Sequence, residues 1–534
     1  MLKLFENYKL SKKQIIIIIL LLLHLSPIWI FKYFPSQDGP SHIYNAYLLK
    51  NYYNYESYTI RDVYKLNLTL FPNWTSHLLM ALLLYVFSPI VSEKILLSFC
   101  IVLPPLSLFY YLSAVDKNKT FFGFLGFIYS YNYLLQMGFY NFALSIPLFF
   151  FTLGYWYKHN HKMEMPKIGI LYGLLLCTYF CHYLSYLLLV LSLSIIALFS
   201  CFYSTLVDLW GEKKERQDKE KLYILKSFFK RFKLLLVFLG YMLPAYFIAM
   251  SYYLSSSCGD DRVYRNLELL KEYLFDMRSL VYFRDDYIII GRILLYCLVV
   301  AFLLTILYRI REVYKFRKLS QSIVQKERLW TKIINGNEIF LLLSAFLMII
   351  YFEAPWSYGS GAWINDRILI YIFLVLLPFY SINFHRYIRC TVVGIIIVLS
   401  LWHLGYTIND YYLLNKDISD MISGIGKLRK HKTFTSCPEE WRCKSEYYGE
   451  LEYVDPFSHI ASYLCLEIDV ADLSNYEAES DYFPIKFKYA KGTYPGTVDY
   501  ILIWRKEYNK LAEIEEDYEL VYSGKYNKLY SLRE

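Results

Sequence analysis

The sequence predicts an all-α polytopic membrane protein of about 11 transmembrane helices plus a juxtamembrane helix, followed by a small C-terminal α/β or α+β domain. Three observations predict it. Of 534 residues, 56% are hydrophobic and 20% aromatic, with a mean hydropathy of +0.29, which no ordinary soluble fold tolerates. Apolar segments long enough to cross a bilayer recur along the chain up to about residue 407. From about residue 430 the long apolar runs stop and short β-like stretches begin.

The first segment, residues 14 to 34, holds about 20 apolar residues and has no small-x-small cleavage site after it. It reads as a retained helix rather than a signal peptide. Further apolar segments run roughly over 72–90, 95–114, 120–135, 139–157, 167–181, 184–204, 233–254, 288–308, 339–353, 366–384 and 389–407. Each is expected to be helical, because a lone strand cannot satisfy its backbone in lipid.

Basic stretches orient these helices. The N-terminus, the nine Lys and Arg from Lys213 to Lys233, and the eight from Arg309 to Lys332 are expected on the cytoplasmic side. Seven crossings before Lys213 would leave that loop on the wrong face, so one segment does not cross. The choice lies between 72–90 along the outer surface and 167–203 as one long helix. The first is preferred, because a helix of 37 residues would be roughly 55 Å long in a core of about 30 Å. Eleven crossings result, over a transmembrane domain of residues 1–409, with an extracytoplasmic domain of residues 410–534.

That tail carries 16 Lys and Arg against 23 Asp and Glu, a net −7 that leaves +16 on the membrane part. The split argues for cationic cytoplasmic loops and against nucleic acid as a partner. Strands are expected at Pro484–Tyr489, Val498–Trp504, Glu519–Ser523 and Leu529–Leu532, with PFSHIASYLCLEI (456–468) as a helix among them. Cys100, Cys177, Cys181, Cys201, Cys297 and Cys390 read as thiols of apolar segments, whereas pairing among Cys437, Cys443 and Cys465 stays open.

The stretch QDGPSHIYNAYLL (37–49) follows the first helix directly. Gly39 and Pro40 mark a helix start, with Asp38 just before it and His42 in the first turn. On residue type alone, Asp38 suits a cap on the first-turn amides. An aspartate at the outer end of the first membrane helix, then a surface helix, many further crossings and a C-terminal external domain resemble the GT-C superfamily of membrane glycosyltransferases. Many members carry a second acid in this loop, whereas Asp38-Gly39 has none adjacent.

The resemblance implies a sugar donor on polyprenyl phosphate, an extracytoplasmic site in a multi-pass cell membrane, and Asp38 as general base; the Ile, Lys and Tyr bias suits an AT-rich bacterium and hence a bacterial inner membrane. The acceptor is then a glycan, lipid or protein hydroxyl. Metal use is left open, with magnesium or manganese as the ions considered. Arg367, in WINDRILIYIF, is placed at a helix mouth where its guanidinium suits a lipid phosphate. A snorkelling role and an ion pair with Asp366 are its competing explanations.

His42 is expected to orient Asp38 or the acceptor. His182 in TYFCHYLSY and His77 in FPNWTSHLLMALL are further substrate-binding candidates. Asn132, Gln136 and Asn141 are candidates for sugar hydroxyls. In FRDDY (283–287) the acids suit a helix N-terminus better than an ion. DLSNYEAESDYFP (472–484) receives no chemical role. A flippase, a lipid-linked glycan polymerase or ligase, and a non-catalytic scaffold of the same architecture remain alternatives.

Overall fold

A computed structural model describes residues 11–69, 71–160, 163–211, 220–255, 261–319, 336–359, 361–380, 386–437, 445, 447–449, 451–466, 469–480, 482–490, 493–504, 511–525 and 527–533. Helices dominate: α1 (Lys12–Ile30), α2 (Gly39–Asn51), α3 (Tyr58–Val63), α4 (Thr75–Leu83), α5 (Pro89–Val115), α6 (Leu125–Ser130), α7 (Tyr133–Gln136), α8 (Tyr140–His159), α9 (Met165–Cys181), α10 (Tyr183–Gly211) and α11 (Glu220–Ser255). They continue as α12 (Leu267–Phe275), α13 (Asp286–Leu319), α14 (Glu338–Glu353), α15 (Ile364–Leu376), α16 (Arg386–Met421) and α17 (Leu511–Asp517).

Six helical stretches among the described residues are long and apolar enough to cross a membrane: Lys12–Ile30, Pro89–Val115, Tyr183–Tyr203, Leu235–Leu254, Asp286–Lys315 and Tyr387–Met421. Their outward faces are apolar too, with Leu22, Phe247 and Leu307 all more than 60% exposed. An apolar exterior of that extent belongs in lipid, and the chain is a helical membrane protein.

Local chemistry explains the helix ends. Ser11 and Gln14 close a capping box at the start of α1. Inside α5, Pro105 has no N–H to offer the Ile101 carbonyl, and the Ser130 hydroxyl donates to that oxygen instead at 2.8 Å. Gly126 lets α6 approach this point, since a Cβ there would meet Pro105 Cα at 2.3 Å.

Residues 120–135, expected as one helix, are broken into a 3₁₀ helix (Lys117–Phe124), α6 and α7. The break falls where the Asn132 side chain accepts from Leu135 N–H at 3.1 Å, starting a new helix. The segment 72–90 yields only nine helical residues in α4, about 14 Å, well short of a bilayer core. At His182 the backbone is extended, so α9 and α10 are separate helices.

The helix α16 runs through 409 and 410, where the division between membrane and tail was expected, and ends at Met421. The basic stretches 213–233 and 309–332 lie partly outside the described residues, as do Cys258, Cys443 and the Cys437 side chain. Cys465 is buried and free.

The strands are β1 (Tyr64–Leu66), β2 (Arg262–Val263), β3 (Ser357–Tyr358), β4 (Thr433–Cys437), β5 (Ala471–Asp472), β6 (Ile485–Phe487), β7 (Tyr500–Trp504), β8 (Tyr518–Ser523) and β9 (Asn527–Leu532). Five of them form a mixed sheet in the order β5-β4-β7-β9-β8, with β4 parallel to β5 and β7 and the other pairs antiparallel. The expected helix at 456–468 appears as a short 3₁₀ turn, Ile460–Cys465.

The C-terminal region docks on the loop after α1. Strand β6 pairs antiparallel with β1, Lys65 facing Lys486. The Tyr44 hydroxyl donates to Val470 O at 2.8 Å, and the Asn45 and Asn475 amides exchange hydrogen bonds at 3.1 Å. The Tyr64 hydroxyl reaches Asp472 O. These contacts bring Tyr476 and Glu477 toward Asp38 and His42.

Candidate functional site

Asp38 is held by its backbone. Its N–H donates to Met137 O at 3.2 Å, and the neighbouring Gln37 N–H to Gln136 O at 3.0 Å. Gly138 makes the approach close: it turns the chain at φ +87°, and a Cβ there would sit 2.7 Å from the Asp38 and Gly39 nitrogens. Gly138→Ala should therefore destabilise the fold by roughly 1–3 kcal/mol from the backbone alone, seen as a lower Tm in detergent.

The Asp38 side chain caps nothing: no first-turn amide donates to it. Only 6% exposed, it lies 3.7 Å from His459 Nε2 and accepts from Gln37 Nε2 at 3.4 Å, with the Tyr476 hydroxyl near enough to favour its charged form. Burial pushes its carboxyl up to about 6, partly opposed by His42 and Tyr476. His459 stacks on Tyr476 at 4.3 Å, and burial holds its imidazole down to about 4.

One turn along α2, His42 meets His77 and Glu477, all three buried. His42 Nδ1 lies 2.7 Å from Glu477 Oε1 and 3.3 Å from His77 Nε2, and His77 Nε2 lies 2.8 Å from Glu477 Oε2. The start of α4 that carries His77 is fixed by Asn141, whose side chain accepts from Ser76 N–H at 2.7 Å and donates to Asn73 O at 2.9 Å. Burial works to raise the Glu477 carboxyl, but the two imidazoles outweigh it and hold it down to about 2. Burial likewise opposes a charge on His42, yet Glu477 and Asp38 keep its affinity for a proton above the ordinary value.

Arg367 at the start of α15 does not pair with Asp366, whose carboxylate is bound by Arg265 at 2.6 Å. Its guanidinium lies over Phe139 and Phe142, 4.8 and 5.7 Å from the ring centres, and donates to Ala362 O at 2.5 Å. Its Nε is buried with no hydrogen-bond partner among the described residues. Asp38 and Tyr482 are near enough to interact with its charge. His182 packs edge-on against the same Phe142 at 5.1 Å, and its Nδ1 also lacks a partner among the described residues. A buried cation and an uncommitted imidazole thus share one aromatic wall beside Asp38.

The structure therefore gathers Asp38, His42, His77, Arg367 and His182 into one region. It does not place the three amides there as free groups: Asn132 caps α7, Gln136 bonds Tyr411, and Asn141 holds the 73–76 turn. The acids of FRDDY belong to a separate network, in which Arg284 bridges Asp286 and Asp410 at 3.1 Å each and Asp285 accepts from Tyr453. Sequence reasoning missed His459, Tyr476 and Glu477. The only signal was the acid-rich DLSNYEAESDYFP itself, and nothing local in it names a partner some 400 residues away. Comparison with known proteins finds no protein family that matches the chain and no curated protein significantly similar to it.

Proposed function

We propose that the protein is an integral membrane glycosyltransferase of the GT-C type, moving a sugar from a polyprenyl-phosphate donor to an acceptor hydroxyl on the extracytoplasmic face. In this reading eleven helices cross the membrane, α4 lies along the outer surface, and the C-terminal β-rich region is an extracytoplasmic domain closing over the site. The observation that carries the reading is Asp38, a carboxylate desolvated at the end of the first membrane helix and committed to no cap, near the buried Arg367, whose Nε has no hydrogen-bond partner among the described residues.

A base poised near neutral pH is what deprotonation of a sugar or lipid hydroxyl calls for. Asp38 takes the hydroxyl proton as the oxygen attacks the anomeric carbon, and the bond to the lipid phosphate breaks on the opposite face. One displacement inverts the anomeric centre, by the logic of inverting glycosidases. The leaving phosphate gains negative charge, which Arg367 meets with two parallel N–H donors in a water-poor setting.

Arg367→Lys keeps the charge and loses the fork, so transfer should fall roughly 10- to 100-fold, the equivalent of one charge-assisted hydrogen bond. Initial rates in proteoliposomes over a series of donor concentrations read this out. The reading as a whole is tested by giving the enzyme a donor of one defined anomer and determining the product linkage by NMR. An inverted product is expected; retention would exclude single displacement with Asp38 as base.

A further inference from the structure

We propose that His42, His77 and Glu477 form a binding site for a divalent transition metal that clasps the C-terminal region around Glu477 onto α2 and α4. His77 sits at the centre of the cluster, within hydrogen-bond distance of both partners. Its Nδ1 faces the Asn73 carbonyl at 3.2 Å, an acceptor that requires the N–H to be on Nδ1. In the neutral ring with its proton on Nδ1, Nε2 presents a lone pair to Glu477 Oε2 at 2.8 Å, a contact that a second ring proton would make a hydrogen bond, and to His42 Nδ1 at 3.3 Å.

The third edge of the triangle repeats the problem. Glu477 Oε1 approaches His42 Nδ1 to 2.7 Å, yet the two are not aligned as a hydrogen bond and Oε1 has no other hydrogen-bond partner among the described residues. Three Lewis bases from three distant parts of the chain converge, 0 to 3% exposed, where water cannot screen them. A proton on each imidazole satisfies the two carboxylate edges but leaves N–H facing N–H at 3.3 Å across the third. A metal ion satisfies all three.

Geometry and donor type both suit the ion. Bonds of about 2.0–2.2 Å in a tetrahedral shell set neighbouring ligand atoms roughly 3.3–3.5 Å apart, and the two imidazole nitrogens already stand at 3.3 Å. The carboxylate oxygens, at 2.7 and 2.8 Å, need to move out by roughly 0.5–0.8 Å. An imidazole that ligates a metal ordinarily gives its other N–H to a carbonyl or carboxylate, as His77 does to Asn73. Two imidazoles and one carboxylate match zinc most closely and manganese or ferrous iron next; magnesium prefers oxygen donors and retained water. The magnesium considered from the sequence is therefore the poorest fit to these side chains.

Metal binding at this site is measured without any sugar transfer. The full-length protein, purified in detergent, is stripped with a chelator and titrated separately with Zn²⁺, Mn²⁺ and Mg²⁺. Metal content is read by elemental analysis and Tm by thermal unfolding. One Zn²⁺ per chain with a raised Tm is expected for wild type, with no equivalent for Mg²⁺; Glu477→Gln and His77→Gln should lose both responses.

Should those variants not fold, cobalt on the wild type decides: intense visible d–d absorption marks a four-coordinate site with nitrogen ligands, and weak absorption marks surface binding. Wild type that takes up neither Zn²⁺ nor Mn²⁺ overturns the proposal and leaves an imidazolium–carboxylate pair. Equal uptake by folded variants overturns it as well, by placing the metal elsewhere.

Discussion

Asp38→Asn is expected to lower sugar transfer about 10²- to 10⁴-fold, the range a positioned general base contributes, while leaving Tm close to that of wild type. The two halves of this expectation come from different contacts. Asparagine retains the shape and the oxygen that Gln37 donates to, and the backbone bonds to Met137 and Gln136 do not involve the side chain. What disappears is the capacity to accept a proton. A mere capping or packing residue would show the opposite pattern, with Tm falling and the rate of the folded fraction unchanged. Initial rates normalised to folded protein separate the two.

Asp410→Ala is expected to be among the most damaging changes outside the site, costing about 3 kcal/mol. Asp410 is fully buried on α16, accepts from the Tyr287 hydroxyl and pairs with Arg284 at 3.1 Å. Truncation leaves a buried hydroxyl and a half-buried guanidinium facing an empty space, and removing one partner of such a pair is costlier than the pair is worth. Asp410→Asn, which still accepts from Tyr287, should lose markedly less. Thermal or denaturant unfolding in detergent, compared with wild type, gives the order.

The same helix explains why part of the fold was hidden in the sequence. Beyond residue 409 the chain turns polar, reading NDYYLLNKDISDM, and composition alone suggests a tail. Yet Tyr411, Leu414, Ile418 and Met421 recur at helical spacing and all are fully buried, so α16 continues for three more turns. The broken segment 117–136 was hidden differently. From Phe122 to Leu135 it is mostly apolar and every residue is buried, and hydropathy is blind to where such a segment bends. Asn132 and Gly138 were the legible signs of the break.

The site itself was half legible. Asp38, His42, His77, His182 and Arg367 stand out as polar residues at the ends of apolar segments, where chemistry at a membrane surface would be found. Their counterparts Glu477, Tyr476 and His459 lie in a polar region where acids and aromatics are ordinary. What gives them meaning is the pairing of β6 with β1 and the Asn45–Asn475 bonds, contacts across more than 400 residues that no local pattern encodes.

The most direct measurement of the central claim is transfer of radiolabelled sugar in proteoliposomes holding wild-type protein, a mixed pool of polyprenyl-phosphate sugars and a mixed set of hydroxyl acceptors, with Asp38→Asn run in parallel. The account predicts that wild type converts at least one donor to a labelled product and that Asp38→Asn, equally folded, does so at least a hundredfold more slowly. Equal transfer by the two proteins, or none by wild type from any donor in the pool, would contradict it.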